Sequence, residues 1–274
     1  FLKGCPLRCI WCSNPESHHG YPELACKKQA CLGFDQCVRC LEVCTVGAIL
    51  RDEDNKPRID RTLCNRCMLC ADFCPSKALI FYGKTMSVDE VLAEVESDSV
   101  FYSRSGGGMT LSGGEPMAQP DFALAILAEA KTRRIKTAME TSGYCNSDRL
   151  LEVCRLLDFL LYDIKIIDAE KHKAFTGVSN ETILDNLRLI HAEIPGLPIL
   201  VRTPIIPGFN DDEDHVRAIL DFIKDMEGVK YEMLPYHRLA KPKCEYLDVD
   251  FKMGEKTLGQ ERMGVLQTMV KDHY

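Results

Sequence analysis

Twelve of the 15 cysteines in this 274-residue chain lie between Cys5 and Cys74, most of them in Cys-x-x-Cys pairs. No charged segment leading into an apolar one marks a secretion signal, so disulfides are not the natural use of these thiols. Thiol pairs in such a chain suit metal ligation. Cys145, Cys154 and Cys244 are scattered and read as packing residues.

The first three cysteines have a spacing of their own. Cys5-Pro-Leu-Arg-Cys9-Ile-Trp-Cys12 supplies three thiolates, enough for three corners of a four-iron cube and one short of closing it. Electron-transfer cubes are normally closed by four cysteines, so the open iron predicts a cluster that binds a molecule and does chemistry. A zinc knuckle, or a structural cluster with a distant fourth cysteine, is the plainer reading of the same spacing.

Further on, Cys64-Asn-Arg-Cys67-Met-Leu-Cys70-Ala-Asp-Phe-Cys74-Pro75 has the bacterial ferredoxin spacing, in which the fourth cysteine reaches the other of two cubes. Its partner run, Cys37-Val-Arg-Cys40-Leu-Glu-Val-Cys44, has Phe34 where that pattern needs a cysteine and Thr45 where it has proline. The expected ligands are Cys31, Cys37, Cys40 and Cys74 for one closed cluster and Cys44, Cys64, Cys67 and Cys70 for the other. Cys26 is the alternative to Cys31. A zinc ribbon competes with this reading, but tandem spacing of this kind belongs to cubes.

With 46% hydrophobic and 27% charged residues, the chain can bury one large core. No apolar run approaches the roughly 18 residues of a membrane span, and a cytoplasmic location is expected. The net charge of −7 falls by roughly five further units if three cubes are ligated. With Lys and Arg dispersed, this disfavours a nucleic-acid partner.

From Met86 onward the pattern changes to ordinary α/β. Strands are expected at 109–112, 135–140, 159–165, 199–203 and 231–236, with Phe1 to Lys3 as a first strand. Helices are expected at 88–95 behind a Ser87 cap, 122–130, 147–157, 181–193, 212–226 and 257–271. Such alternation predicts a parallel sheet, here a partial (βα)6 barrel from residues 1–20 and 86–274, with residues 21–85 as a ferredoxin-like insert. Chemistry in such folds gathers at the carboxyl ends of the strands, where Cys5, Gly113, Glu115, Thr141, Asp163, Lys165, Arg202 and His237 fall. A chain that starts at Phe1 without an initiator Met, in mid-strand, predicts a preceding segment.

Several short runs together carry a family resemblance. They are Gly4-Cys5-x3-Cys9-Ile-Trp11-Cys12-Ser-Asn14-Pro15-Glu16, Ser112-Gly113-Gly114-Glu115-Pro116, Glu140-Thr141-Ser142-Gly143-Tyr144, Asp163-Ile-Lys165, Arg202 through Pro207-Gly208-Phe-Asn210-Asp211, and Leu234-Pro235-Tyr236-His237. The chain resembles the glycyl radical enzyme activating enzymes of the radical S-adenosylmethionine superfamily, like pyruvate formate-lyase activating enzyme but with a two-cluster insert.

The resemblance implies that Cys5, Cys9 and Cys12 hold the catalytic cube and that S-adenosylmethionine chelates its open iron. It implies reductive cleavage to a 5′-deoxyadenosyl radical, which takes a hydrogen from a glycine of a partner enzyme. Gly113, Gly114, Glu115, Thr141, Ser142 and Asp163 would bind the ligand, Glu115 accepting from its ammonium group. Lys165, Arg202 and His237 would contact its carboxylate and ribose or position the target peptide. Trp11 would pack near the adenine, with core packing as the alternative. Glu140, Thr141, the Leu161 carbonyl and Asp163 would hold a monovalent cation, although relatives often have Asp where Glu140 stands. A flavodoxin or ferredoxin would supply electrons, with three [4Fe–4S] clusters in all. The family's Asp-Gly-Pro-Gly-x-Arg segment is absent from the sequence. Two other readings remain: a radical enzyme acting on a small molecule or another peptide, and an electron carrier in which every cluster only relays.

Overall fold

The computed structural model describes residues 1–273. Its centre is a sheet of five parallel strands in chain order, β5 (Gly108–Leu111), β6 (Lys136–Thr141), β7 (Phe159–Asp163), β8 (Ile199–Ile205) and β9 (Val229–Pro235). The expected sixth strand is reduced to one parallel pairing, Leu2 with Gly113. Around that pair the Leu2 N–H donates to Ser112 O at 2.7 Å and the Gly114 N–H to Leu2 O at 2.8 Å. The barrel is thus five strands and a fragment among the described residues.

Alternation along the strands decides what faces the site. Met139, Leu160, Tyr162 and Val201 are fully buried. They pack against Ile126 and Leu127 of α5 (Pro120–Thr132), Leu150 of α6 (Ser147–Cys154), Leu187 and Ile190 of α8 (Glu181–Glu193) and Ile219 of α9 (Glu213–Ile223). The intervening residues Glu140, Leu161, Asp163 and Arg202 therefore point to the opposite face, because side chains alternate along a strand. Register stacks them: Glu140 pairs with Leu161, and Asp163 with Arg202.

The first helix of this α/β region, α3 (Val88–Glu96), starts at Ser87 with a full capping box shared with Glu90, a device that contributes about 1 kcal/mol. α11 (Gln260–His273) closes the chain over α9. Three short helices were not expected: α4 (Ser99–Ser105), α7 (Ala169–Thr176) and α10 (Lys241–Leu247).

The cysteine-rich segment leaves and rejoins the barrel through one antiparallel pair, β1 (Glu23–Cys26) with β4 (Leu79–Tyr82). Between them lie the pair β2 (Ile49–Arg51) and β3 (Pro57–Ile59), and two single-turn helices, α1 (Arg39–Glu42) and α2 (Leu69–Asp72). Its core combines Leu24, Phe34, Ile49, Ile59 and Leu79 with Cys40, Cys70 and Cys74. α10 packs on β1, and Arg61 donates to Leu247 O at 2.6 Å, fixing the segment against the barrel.

No helix among the described residues is long and apolar enough to cross a membrane.

Candidate active site

The first cysteine loop is positioned by its backbone, independently of its thiols. Gly4 N–H donates to Ser17 O at 2.8 Å, Arg8 N–H to Thr176 O at 2.7 Å and Ile10 N–H to Phe175 O at 3.1 Å. Lys243 of α10 clamps the far side, donating to Ser13 O, to Asn14 Oδ1 at 2.9 Å and to Glu16 Oε1 at 2.6 Å. This brings Cys5, Cys9 and Cys12 onto one wall of a cavity of about 190 Å³ at the carboxyl ends of the strands. Gly113, Gly114, Glu115, Glu140, Thr141, Ser142, Asp163, Lys165 and Trp11 share its lining.

The thiols are strained toward their neutral form. Burial pushes Cys5 up to about 11, Cys9 up to about 12 and Cys12 also upward, while the Lys165 ammonium pulls all three down. Lys165 is the only cation among the described residues of the lining. Burial alone would lower its pKa, but Asp163, 2.9 Å from its Nζ, and Cys9 outweigh that and hold it charged. A fixed ammonium beside three thiols favours thiolate, the form that ligates a metal.

Glu115 is met by donors of the protein itself. Its carboxylate is fully buried, and each oxygen already has two donors. Oε1 accepts from Thr141 Oγ1 at 2.6 Å and the Met117 N–H at 3.1 Å; Oε2 accepts from the Ser142 N–H at 2.8 Å and Ser142 Oγ at 2.6 Å. A carboxylate has about four acceptor sites, and four donors of the protein meet them here. Burial raises its pKa, with the four donors opposing. These bonds tie the turn after β5 to the end of β6.

The glycines before it answer to packing as well. Gly113 has φ +118, and a Cβ there would collide with the Leu2 carbonyl; one on Gly114 would collide with the Gly4 carbonyl. Both are required by the close passage of the N-terminal segment, although their backbone also lines the cavity.

Trp11 stands at the cavity wall within an aromatic cluster. It lines the cavity and packs at 6.4 Å and 6.1 Å from the rings of Phe175 and Phe209. Arg202, Leu161 and His237 are not in the lining. His237 is exposed. Arg202 sits behind Glu140 and Asp163 and pairs with both.

Residues without an expected role also belong here. Asn14, Ser17, Pro204 and Leu234 line the cavity. Buried Asn210 donates to Lys165 O and Pro204 O, both at 2.8 Å, and accepts from the Ile206 N–H, which locks the strand ends around Lys165. Asn14 and Asn210 stand inside the recognised motifs, so their positions carried a signal. Lys243 stands in no motif and carried none.

In the cysteine-rich segment, two small cavities each gather four thiols. One is lined by Cys31, Cys37, Cys40 and Cys74, the other by Cys44, Cys64, Cys67 and Cys70. Backbone N–H groups point at three of the sulfurs: Gly33 at Cys31, Ala48 at Cys44 and Leu79 at Cys74. Burial pushes Cys40 up to about 11 and Cys70 up to about 12; it also opposes ionisation of Cys74, but hydrogen bonds from Leu79 and Ser76 win and lower it. Cys26 lines neither cavity and pairs with Leu79 in the β1–β4 ladder. Among the described residues, no three His, Cys, Asp or Glu side chains gather around a single ion.

Comparison with known proteins places this geometry. Residues 62–223 match the model of the Radical SAM superfamily, and the parallel sheet with its thiol loop at the carboxyl edge is a radical SAM fold. The chain is 55% identical over 271 residues to the isethionate sulfite-lyase activating enzyme of Nitratidesulfovibrio vulgaris, covering 98% of this chain and 88% of that protein. It is 39% identical over 257 residues to the (2S)-3-sulfopropanediol dehydratase activating enzyme of Klebsiella oxytoca, covering 92% and 80%. A crystallised domain of pyruvate-formate lyase-activating enzyme from Bacteroides vulgatus superposes with a TM-score of 0.51 at 29% identity, covering 61% of this chain and 94% of that domain. The chain belongs to the activating enzymes of glycyl radical enzymes within the radical SAM superfamily. Membership implies a [4Fe–4S] cluster and S-adenosylmethionine.

Proposed function

We propose that Cys5, Cys9 and Cys12 hold the catalytic [4Fe–4S] cluster, that S-adenosylmethionine binds in the adjoining cavity, and that the partner is a glycyl radical enzyme of the isethionate sulfite-lyase kind. The observation that carries this reading is the cavity itself: among its described residues it has three thiols and no fourth, beside Lys165 and the Gly113–Gly114 backbone. Held by these three thiols and reduced by an electron donor, the cluster would supply the one electron for cleaving S-adenosylmethionine to methionine and a 5′-deoxyadenosyl radical, which would take the Cα hydrogen of the partner's glycine. The chain's own residues bind and orient. Lys165 holds the thiols toward thiolate and offers a fixed charge to the ligand carboxylate. Trp11 offers a ring face to the adenine, stiffened by Phe175 and Phe209. Glu115, Asn210 and Lys243 fix the walls. The 55% identity to isethionate sulfite-lyase activating enzyme supports the choice of partner.

The test is anoxic incubation of the reduced protein with S-adenosylmethionine and an isethionate sulfite-lyase, read by electron paramagnetic resonance. A glycyl doublet is expected. Ligand cleavage without a doublet in this or any other candidate partner would remove the glycine target from the reading.

The cysteine-rich segment is proposed as a ferredoxin-like module with two closed [4Fe–4S] clusters, ligated by the two sets of four thiols, relaying electrons from a flavodoxin or ferredoxin. The grouping of the eight thiols and the N–H groups aimed at Cys31, Cys44 and Cys74 support it. Replacing Cys64 and Cys67 by Ala is expected to slow activation with a physiological donor while the first loop keeps its iron. An unchanged rate would make the segment structural.

A further inference from the structure

Two carboxylates at the site are already neutralised from within the protein. Arg202 Nη2 bridges them, contacting Glu140 Oε1 and lying 3.2 Å from Asp163 Oδ1. Glu140 also accepts from Ser112 Oγ at 2.7 Å, and the second oxygen of Asp163 takes Lys165 Nζ at 2.9 Å. The Thr141 hydroxyl, the next expected ion ligand, is spent as well: it donates to Glu115 and accepts from the Gly143 N–H at 3.0 Å. Leu161 lies outside the cavity lining. These four positions were expected to hold a monovalent cation, and three of them have their side-chain oxygens otherwise engaged.

We infer that the Arg202 guanidinium fills the place between Glu140 and Asp163 that a monovalent cation would take, so that this chain binds S-adenosylmethionine without one. Geometry explains why the arginine can do so. Glu140 is on β6 and Arg202 on β8, with β7 between them, so their strands stand two spacings apart. Glutamate has one methylene more than aspartate, and that extra length carries its carboxylate to the guanidinium. An ion added there would meet two positive neighbours, Arg202 and Lys165, around carboxylates that are each already paired. The fixed charge of an arginine does not dissociate, so the ligand carboxylate meets the same field at any potassium concentration.

The inference rests on S-adenosylmethionine binding in this cavity, and its test reads the two separately. Affinity of the anoxic, cluster-loaded protein for S-adenosylmethionine is measured by calorimetry in potassium, sodium and tetramethylammonium chloride at equal ionic strength. The three values are expected to agree within about twofold, whereas a coupled ion would shift them by roughly 5- to 150-fold. Glu140→Asp shortens the side chain away from Arg202 and is expected to gain a potassium dependence of roughly fivefold or more. Crystals of the holoenzyme soaked in a thallium(I) salt give a readout independent of the ligand. No anomalous peak between residues 140 and 163 is expected; a peak there, or a potassium-dependent wild type, overturns the inference. Failure to bind S-adenosylmethionine in every salt would instead count against the proposed function, with the thallium map still deciding the cation.

Discussion

Cys9→Ala is expected to abolish S-adenosylmethionine cleavage, a loss of at least roughly 10³-fold, because residues that act as one unit lose nearly everything when one is removed. The loop should survive the change. Its path is set by main-chain bonds, including the Cys12 N–H to Cys9 O at 3.0 Å, which alanine keeps, and by the Lys243 clamp on Asn14 and Glu16. Iron and sulfide are expected to fall by one cube's worth, about four of each per chain, with the two clusters proposed for the cysteine-rich segment retained. Quantifying iron, sulfide and 5′-deoxyadenosine on the same sample checks this. Cleavage at the wild-type rate would mean that the reactive cluster is held elsewhere.

Glu115→Ala is expected to destabilise the protein by about 3–5 kcal/mol, since buried donors lose their only acceptor at about 1–3 kcal/mol apiece. The Met117 and Ser142 N–H groups suffer most, because hydroxyls on Thr141 and Ser142 can turn to other acceptors and backbone amides cannot. Glu115→Gln should cost less, since one oxygen still serves two donors while its new NH₂ group faces donors. Anoxic urea unfolding followed by circular dichroism measures both. An alanine variant within about 1 kcal/mol of wild type would show that the four hydrogen bonds do not hold the site together.

The barrel was legible because its signals are long. Runs such as Phe159-Leu160-Leu161-Tyr162 and the Ser87–Glu90 capping box announce strand and helix locally, and the structure places these elements within a few residues of expectation. The missed α7 is short and has little periodicity, yet its ends were written in the sequence: Asp168 accepts from the Lys171 N–H, and Gly177 adopts φ +85. In the cysteine-rich segment the helices have four residues and the strands three or four, too short for any period to register. At the site, residue types were legible and their partners were not. The sequence suggests Glu115 as a ligand contact and Glu140 as a cation ligand, but which protein donors meet them depends on strands β5 to β8 meeting in register, which no local pattern encodes. Lys243 reaches the first loop across more than two hundred residues of sequence, for the same reason.

The cysteine-rich segment departs and returns at the antiparallel pair Glu23–Tyr82. Paired strand residues stand only about 5 Å apart. A tight turn can therefore join the chain before Glu23 to the chain after Tyr82 without moving the barrel. The whole segment then enters and leaves at one place in the chain, between the first cysteine loop upstream and the sheet downstream. Its second seat is on α10, where Arg61 meets Leu247.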